Sequence, residues 1–123
     1  MSTRAVVTIK DERDEFHIYT HCDGYPEYQV KRLVDAVPFA WELPRFEAMD
    51  FAAAFVRGSK EKGGNIYLTK HWDNHGDLEF RYEVSEDKGI LHIKVFDMGT
   101  SLIWEGSLVA MVKKYGDEYI KTA

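Results

Sequence analysis

Residues 78–96 read LEFRYEVSEDKGILHIKVF, and the fold turns on how they are read. Leu78, Phe80, Tyr82 and Val84 fall on one side of an extended chain, with Glu79, Arg81 and Glu83 on the other. Beyond the charged turn SEDKG the alternation resumes: Leu91, Ile93 and Val95 oppose His92 and Lys94. A period of two with one apolar side is the mark of a half-buried strand. A short polar turn containing glycine joins two such strands into an antiparallel hairpin.

Working outward from this hairpin, DMGTS turns the chain into a third strand, LIWE. GSLVAMVKKYG then carries the marks of a capped helix over 107–115. Ser107 suits the N-cap, Leu108, Val112 and Tyr115 share a face, Lys113 and Lys114 sit at the negative end, and Gly116 closes it. Upstream, NIYLTK at 65–70 reads as a short strand and HWDNHGD at 71–77 as a turn or loop. GSKEKGG, ending in Gly63 and Gly64, stops a helix expected over 44–60, in which Pro44 is the opener and Phe46, Met49, Ala53 and Val56 form the apolar stripe. A first helix is expected over 26–37, opened by Pro26 and ended by Pro38. At the N-terminus RAVVTIK and FHIYT flank the charged turn DERDE as another hairpin. The order is ββααββββα. It predicts a single α+β domain over 1–123, an antiparallel sheet of five or six strands with three helices segregated from the strand runs.

The 123 residues are enough to bury a core without a disulfide or structural metal. A composition 45% hydrophobic and 14% aromatic is that of a globular chain. Cys22 is the single cysteine, so no internal disulfide forms and nothing points to an oxidising compartment. The N-terminus has no apolar run of signal-peptide length, and no window approaches a membrane span. The expected location is cytoplasmic, with no membrane partner. A net charge of −5 argues against a dedicated nucleic-acid binder, which presents a basic stripe.

Five stretches occur in order along the chain: TRAVV, FHIYTHCDGYPE, FAAAFVRG, HGDLEFRYEV and IWEGSL. Together they resemble a family of small phage, prophage and bacterial mobile-element proteins with no assigned activity. The most specific motifs are DGYPE at 23–27 and HGDLEFRY at 75–82. The resemblance implies a mobile-element setting and no mechanism. Where the family motif has tryptophan or another bulky or polar residue before its first aspartate, this chain has Cys22, which argues against an essential cysteine nucleophile.

The chemistry-bearing residues concentrate in two runs, HCDGYPEY at 21–28 and HWDNHGD at 71–77. His21, Cys22, Asp23, His71, Asp73, His75 and Asp77 include the usual zinc ligand types. No Cys-x-x-Cys pair or His-Glu-x-x-His helix organises them, so no metal and no cofactor is assigned. A Cys22–imidazole pair lacks an evident activating geometry. No Gly-x-Ser-x-Gly elbow is present, and GSKEKGG lacks phosphate-loop spacing. Asp23 and Asp77 beside glycine are also ordinary turn residues.

The preferred reading is a mobile-element accessory protein that binds another protein stoichiometrically, a host defence or regulatory component fitting that setting. The expected contact residues are Asp23, Tyr25, Trp72, His75 and Asp77, on two loops brought together at one end of the sheet. The alternative is a small hydrolase-like enzyme using His21, Asp23, His75 and Asp77, with or without a metal. A homo-oligomeric phage subunit is a third class, which needs a self-association surface the sequence does not locate.

Overall fold

From Ala5 to Ile9 every side chain is buried, although Thr8 is polar and successive residues of a strand point to opposite sides. This first strand, β1 (Ala5–Lys10), must therefore lie in the middle of a sheet covered on both faces. The computed structural model, which describes residues 3–61, 63, 65–74, 76 and 78–116, shows how. β1 is followed by β2 (Glu15–Thr20), helix α1 (Pro26–Ala36), a 3-10 turn (Val37–Phe39) and α2 (Ala48–Glu61). β3 (Ile66–Thr69), β4 (Phe80–Asp87), β5 (Ile90–Asp97), β6 (Ser101–Ser107) and α3 (Leu108–Tyr115) complete the α+β fold. Element order and the three helices agree with the sequence. No helix among the described residues is long and apolar enough to cross a membrane.

The six strands form one sheet in the order β3-β2-β1-β4-β5-β6. It is mixed, not wholly antiparallel: β1 and β4 pair in parallel, with Ala5 opposite Phe80 and Ile9 opposite Val84. The other four pairings are antiparallel. Lys88 and Gly89 both have positive φ, 53° and 81°, which gives the β4–β5 turn the twist a two-residue hairpin requires.

The three helices cover one face. Val7, Ile9, Ile18, Tyr82, Val84, Ile93 and Val95 point into a core closed by Val30 and Leu33 of α1, Phe51 and Phe55 of α2, and Met111 of α3. Gly58 lets α2 approach α1 closely: a Cβ there would stand 2.9 Å from the Asp35 carbonyl oxygen. α3 is capped as expected, Ser107 Oγ accepting from Ala110 N at 3.1 Å.

Three local expectations change. α2 begins at Ala48, not near Pro44, and residues 40–47 form an irregular segment before it. Leu78 precedes β4 and buries on the face opposite Tyr82, with Val6 and Tyr19. The third change concerns 71–77. β3 is antiparallel to β2, β2 to β1, and β1 parallel to β4, so β3 and β4 run the same way. Parallel strands cannot share a tight turn and need a crossover. Residues 70–79 are that crossover. They leave the sheet at Thr69, opposite His17, and return at Phe80, level with Thr20 through Ala5.

Candidate functional site

The first motif is a brace. Asp23 has φ of 60°, and its carbonyl oxygen accepts from Gln29 Nε2 at 2.8 Å. Its Oδ2 lies 3.9 Å from Arg32 Nη2. The Gly24 amide donates to Thr3 O at 3.0 Å, and the Gly24 carbonyl accepts from the buried Tyr82 hydroxyl. A Cβ on Gly24 would stand 2.7 Å from Thr3 O, so glycine is required there. Thr20 Oγ1 donates to Cys22 O at 2.7 Å and accepts from Arg32 Nη1 at 3.0 Å. These bonds dock α1 on the strand ends. Tyr25 remains 45% exposed, its ring 5.7 Å from that of Phe80 on the helix-covered side.

Of the second motif, Trp72 packs on the opposite face. Trp72 is half-buried against Val6, Tyr19 and Leu78. The Arg81 guanidinium lies 4.7 Å from the centre of the Trp72 ring and 4.3 Å from that of Phe96, and Arg81 Nε donates to Gly99 O at 3.1 Å. A Cβ on Gly99 would meet Trp72 Cζ3 at 2.6 Å. Trp72 is thus an anchor for the crossover, and it does not share a surface with Tyr25. His21 shares the face of Tyr19, its Nδ1 3.3 Å from the Tyr19 hydroxyl. His75 and Asp77, expected in both the contact and the hydrolytic sets, lie outside the described residues. Among the described residues no group of three His, Cys, Asp or Glu side chains is placed to hold a metal ion.

Two polar groupings on the face opposite the helices have no signal in the sequence motifs. Thr8 and His17 are opposite one another in the first hairpin, with Thr8 Oγ1 2.9 Å from His17 Nδ1. His17 Nε2 lies 3.3 Å from Glu15 Oε2. Burial holds the His17 pKa below the ordinary histidine value, aided by the Arg81 and His71 charges and opposed by Glu15. The neutral ring therefore accepts from Thr8 and donates to Glu15. One strand further, Glu83 accepts from Lys10 Nζ at 2.7 Å and from Arg81 Nη1 at 3.2 Å. Burial pushes Glu83 up, but Lys10 and then Arg81 outweigh it and hold the carboxyl below its usual value. A hydroxyl, an imidazole and a carboxylate in line suggest nucleophilic catalysis. Yet Thr8 is 1% exposed and His17 6%, so the hydroxyl cannot reach a substrate. The grouping is a satisfied polar layer.

The opening suited to a ligand lies elsewhere. Where the 3-10 turn leads into the irregular segment, a cleft of about 500 Å³ opens between that segment, α2 and β5. Its walls are Val37, Leu43, Phe46, Phe51 and Leu91, with Trp41 at the mouth. Trp41 is 38% exposed and fixed at both ends: its amide donates to Asp50 Oδ2 at 2.8 Å, and the Arg45 guanidinium lies 3.5 Å from its ring centre. Size and lining fit the usual range of pre-formed binding clefts. The sequence signal is PFAWEL at 38–43, an aromatic in a proline-bounded stretch between the two expected helices, to which the sequence alone assigns no role. Comparison of the chain with protein-family models, with curated proteins and with solved structures gives no match.

Proposed function

We propose that this chain is a small cytoplasmic accessory protein of a phage or other mobile element, acting by stoichiometric binding to another protein. A host defence or regulatory component is the partner class that fits the setting. The setting is supported by the five ordered stretches described above, of which DGYPE and HGDLEFRY are the most specific. The mode of action rests on the cleft beneath Trp41: an aromatic held in place at a pre-formed apolar opening loses little entropy on binding. In contrast, in the grouping that most resembles catalytic chemistry, Thr8–His17–Glu15, the hydroxyl and the imidazole are buried and paired with each other, and only the Glu15 carboxylate is exposed.

The test is capture of a partner from host lysate followed by calorimetry with both components purified. Binding at one-to-one stoichiometry is expected, weakened tenfold or more by Trp41→Ala with the melting temperature within a few degrees of the parent. Tyr25→Ala tests the contact set expected from the sequence; a larger loss there than at Trp41 would move the partner surface to the start of α1. Failure to form any stoichiometric complex, together with turnover of a small substrate, would replace binding with the hydrolase reading.

A further inference from the structure

We infer that the partner engages this protein through one extended segment, placing a large apolar side chain in the Trp41 cleft and a lysine or arginine in an acidic cleft beside it. The inference rests on the binding reading above and adds the chemistry of what is bound. Two openings carry it. The apolar cleft shares Phe46 with a second opening, of about 470 Å³, bounded by the β1–β2 turn, Glu47 and residues 85–86. Phe46 lines both, so the two openings adjoin.

The second opening differs in charge. It is lined by Asp11, Glu12, Glu47 and Glu86 against Lys10 and Arg13. Lys10 is committed to Glu83 at 2.7 Å, which removes half of the cationic balance. Asp11 is occupied by main-chain amides, and Glu86 accepts from the Gly89 amide. Glu12 and Glu47 enter no ion pair among the described residues. Among the lining residues Arg13 is the one cation left against Asp11, Glu12, Glu47 and Glu86, so the opening keeps an excess of negative charge that fits a basic group on the ligand. The same charge disfavours other occupants. An apolar carboxylate would meet like charge, and a second copy of this chain would bring a net −5. An extended peptide suits the shape, because its side chains enter successive openings while its backbone stays solvated between them.

The probe is a panel of fluorescein-labelled dodecapeptides in a Gly/Ser background. Each carries one Phe or Leu and one Lys or Arg at spacings of two to five residues. Matched peptides replace the base by Glu or the apolar residue by Ser. Fluorescence anisotropy with the intact protein is expected to show binding only for peptides with both features. Affinity should fall on raising the salt concentration. Glu12→Lys combined with Glu47→Gln should weaken binding tenfold or more while circular dichroism and melting temperature stay near the parent, and Trp41→Ala should weaken it independently. Several outcomes overturn the inference: no peptide binds, acidic peptides bind equally well, or the double variant binds unchanged. A dimer in sedimentation that Trp41→Ala dissociates would do so too, by assigning the cleft to self-association. A purified partner protein that binds the parent and the double variant alike would overturn the acidic cleft and leave stoichiometric binding standing.

Discussion

Asp11 holds two parts of the chain with one carboxylate. Its Oδ1 accepts from the amides of Arg13 and Asp14, both at 2.8 Å, closing the β1–β2 turn, and its Oδ2 accepts from Ala48 N at 2.8 Å, capping α2. The Ala48 amide, then the Asp14 and Arg13 amides, hold its pKa below the ordinary aspartate value. Asp11→Ala is expected to lower stability by about 1–2 kcal/mol in urea unfolding, the usual worth of a cap plus a turn bond. Asp11→Asn, which keeps an acceptor oxygen, should cost less. Because the folded pKa is lowered, the contribution of Asp11 is present above the unfolded value near 3.8 and is lost as pH falls through and below it. His17 acts in a higher window. Its folded pKa lies below the unfolded 6.5, so in mild acid the unfolded chain takes up the proton more readily. Melting temperature should therefore fall as pH drops from 7 towards 5, and His17→Gln should flatten that slope. An NMR titration placing the His17 midpoint above 6.5 would refute the sign. The Thr8–His17 pair was within reach of the sequence, since a hairpin turning at DERDE pairs Lys10 with Glu15 and, two steps back, Thr8 with His17. The ion pairs of Glu83 were not, because they depend on a strand 75 positions from its neighbour in β1.

Among the elements, legibility followed locality. β4, β5 and α3 were readable because alternation, turn glycine and Ser107 cap all lie within their own segments. The start of α2 was not, because its capping carboxylate arrives through space from the preceding hairpin, 37 positions away, while Pro44 offered a local signal that the fold does not use. The direction of the β1–β4 pairing was equally hidden, since a period of two is the same for parallel and antiparallel neighbours. The crossover at 70–79 follows from that pairing. Its anchor gives a test: Trp72→Ala should lower stability by about 1–3 kcal/mol, less than a fully buried tryptophan because the ring is half-exposed. Gly99→Ala should also destabilise, because the position has φ of 82° and the new methyl meets the indole. Unchanged melting of Trp72→Ala would return this residue to the set of free contact aromatics. β6 forms one edge of the sheet, with Leu102 and Ile103 exposed and its register shifting opposite Val95 and Phe96. Such an irregularity hinders a neighbouring strand from continuing the ladder.

Across the whole molecule, the sheet consists of two halves, β3-β2-β1 from the first part of the chain and β4-β5-β6 from the second, joined along β1 and β4. Every other pairing closes a shorter stretch of chain. Bringing Ala5 to Phe80 closes about 75 residues and is entropically the hardest step of assembly. Val7→Ala, opposite Tyr82 in this joint, is therefore expected to slow refolding in stopped-flow experiments more than it speeds unfolding. A change confined to the unfolding limb would place the joint after the barrier. The same joint sets the hazard of making this protein. On the ribosome, the AVVTIK strand emerges first and has no partner on its second side until residues 80–84 follow. During that interval a β-branched edge, sealed in the finished protein, is open to strands of other nascent chains. A chain stopped at residue 79 should aggregate on expression, and co-expression of residues 80–123 should restore solubility, so the yield of this protein depends on how quickly its second half is delivered.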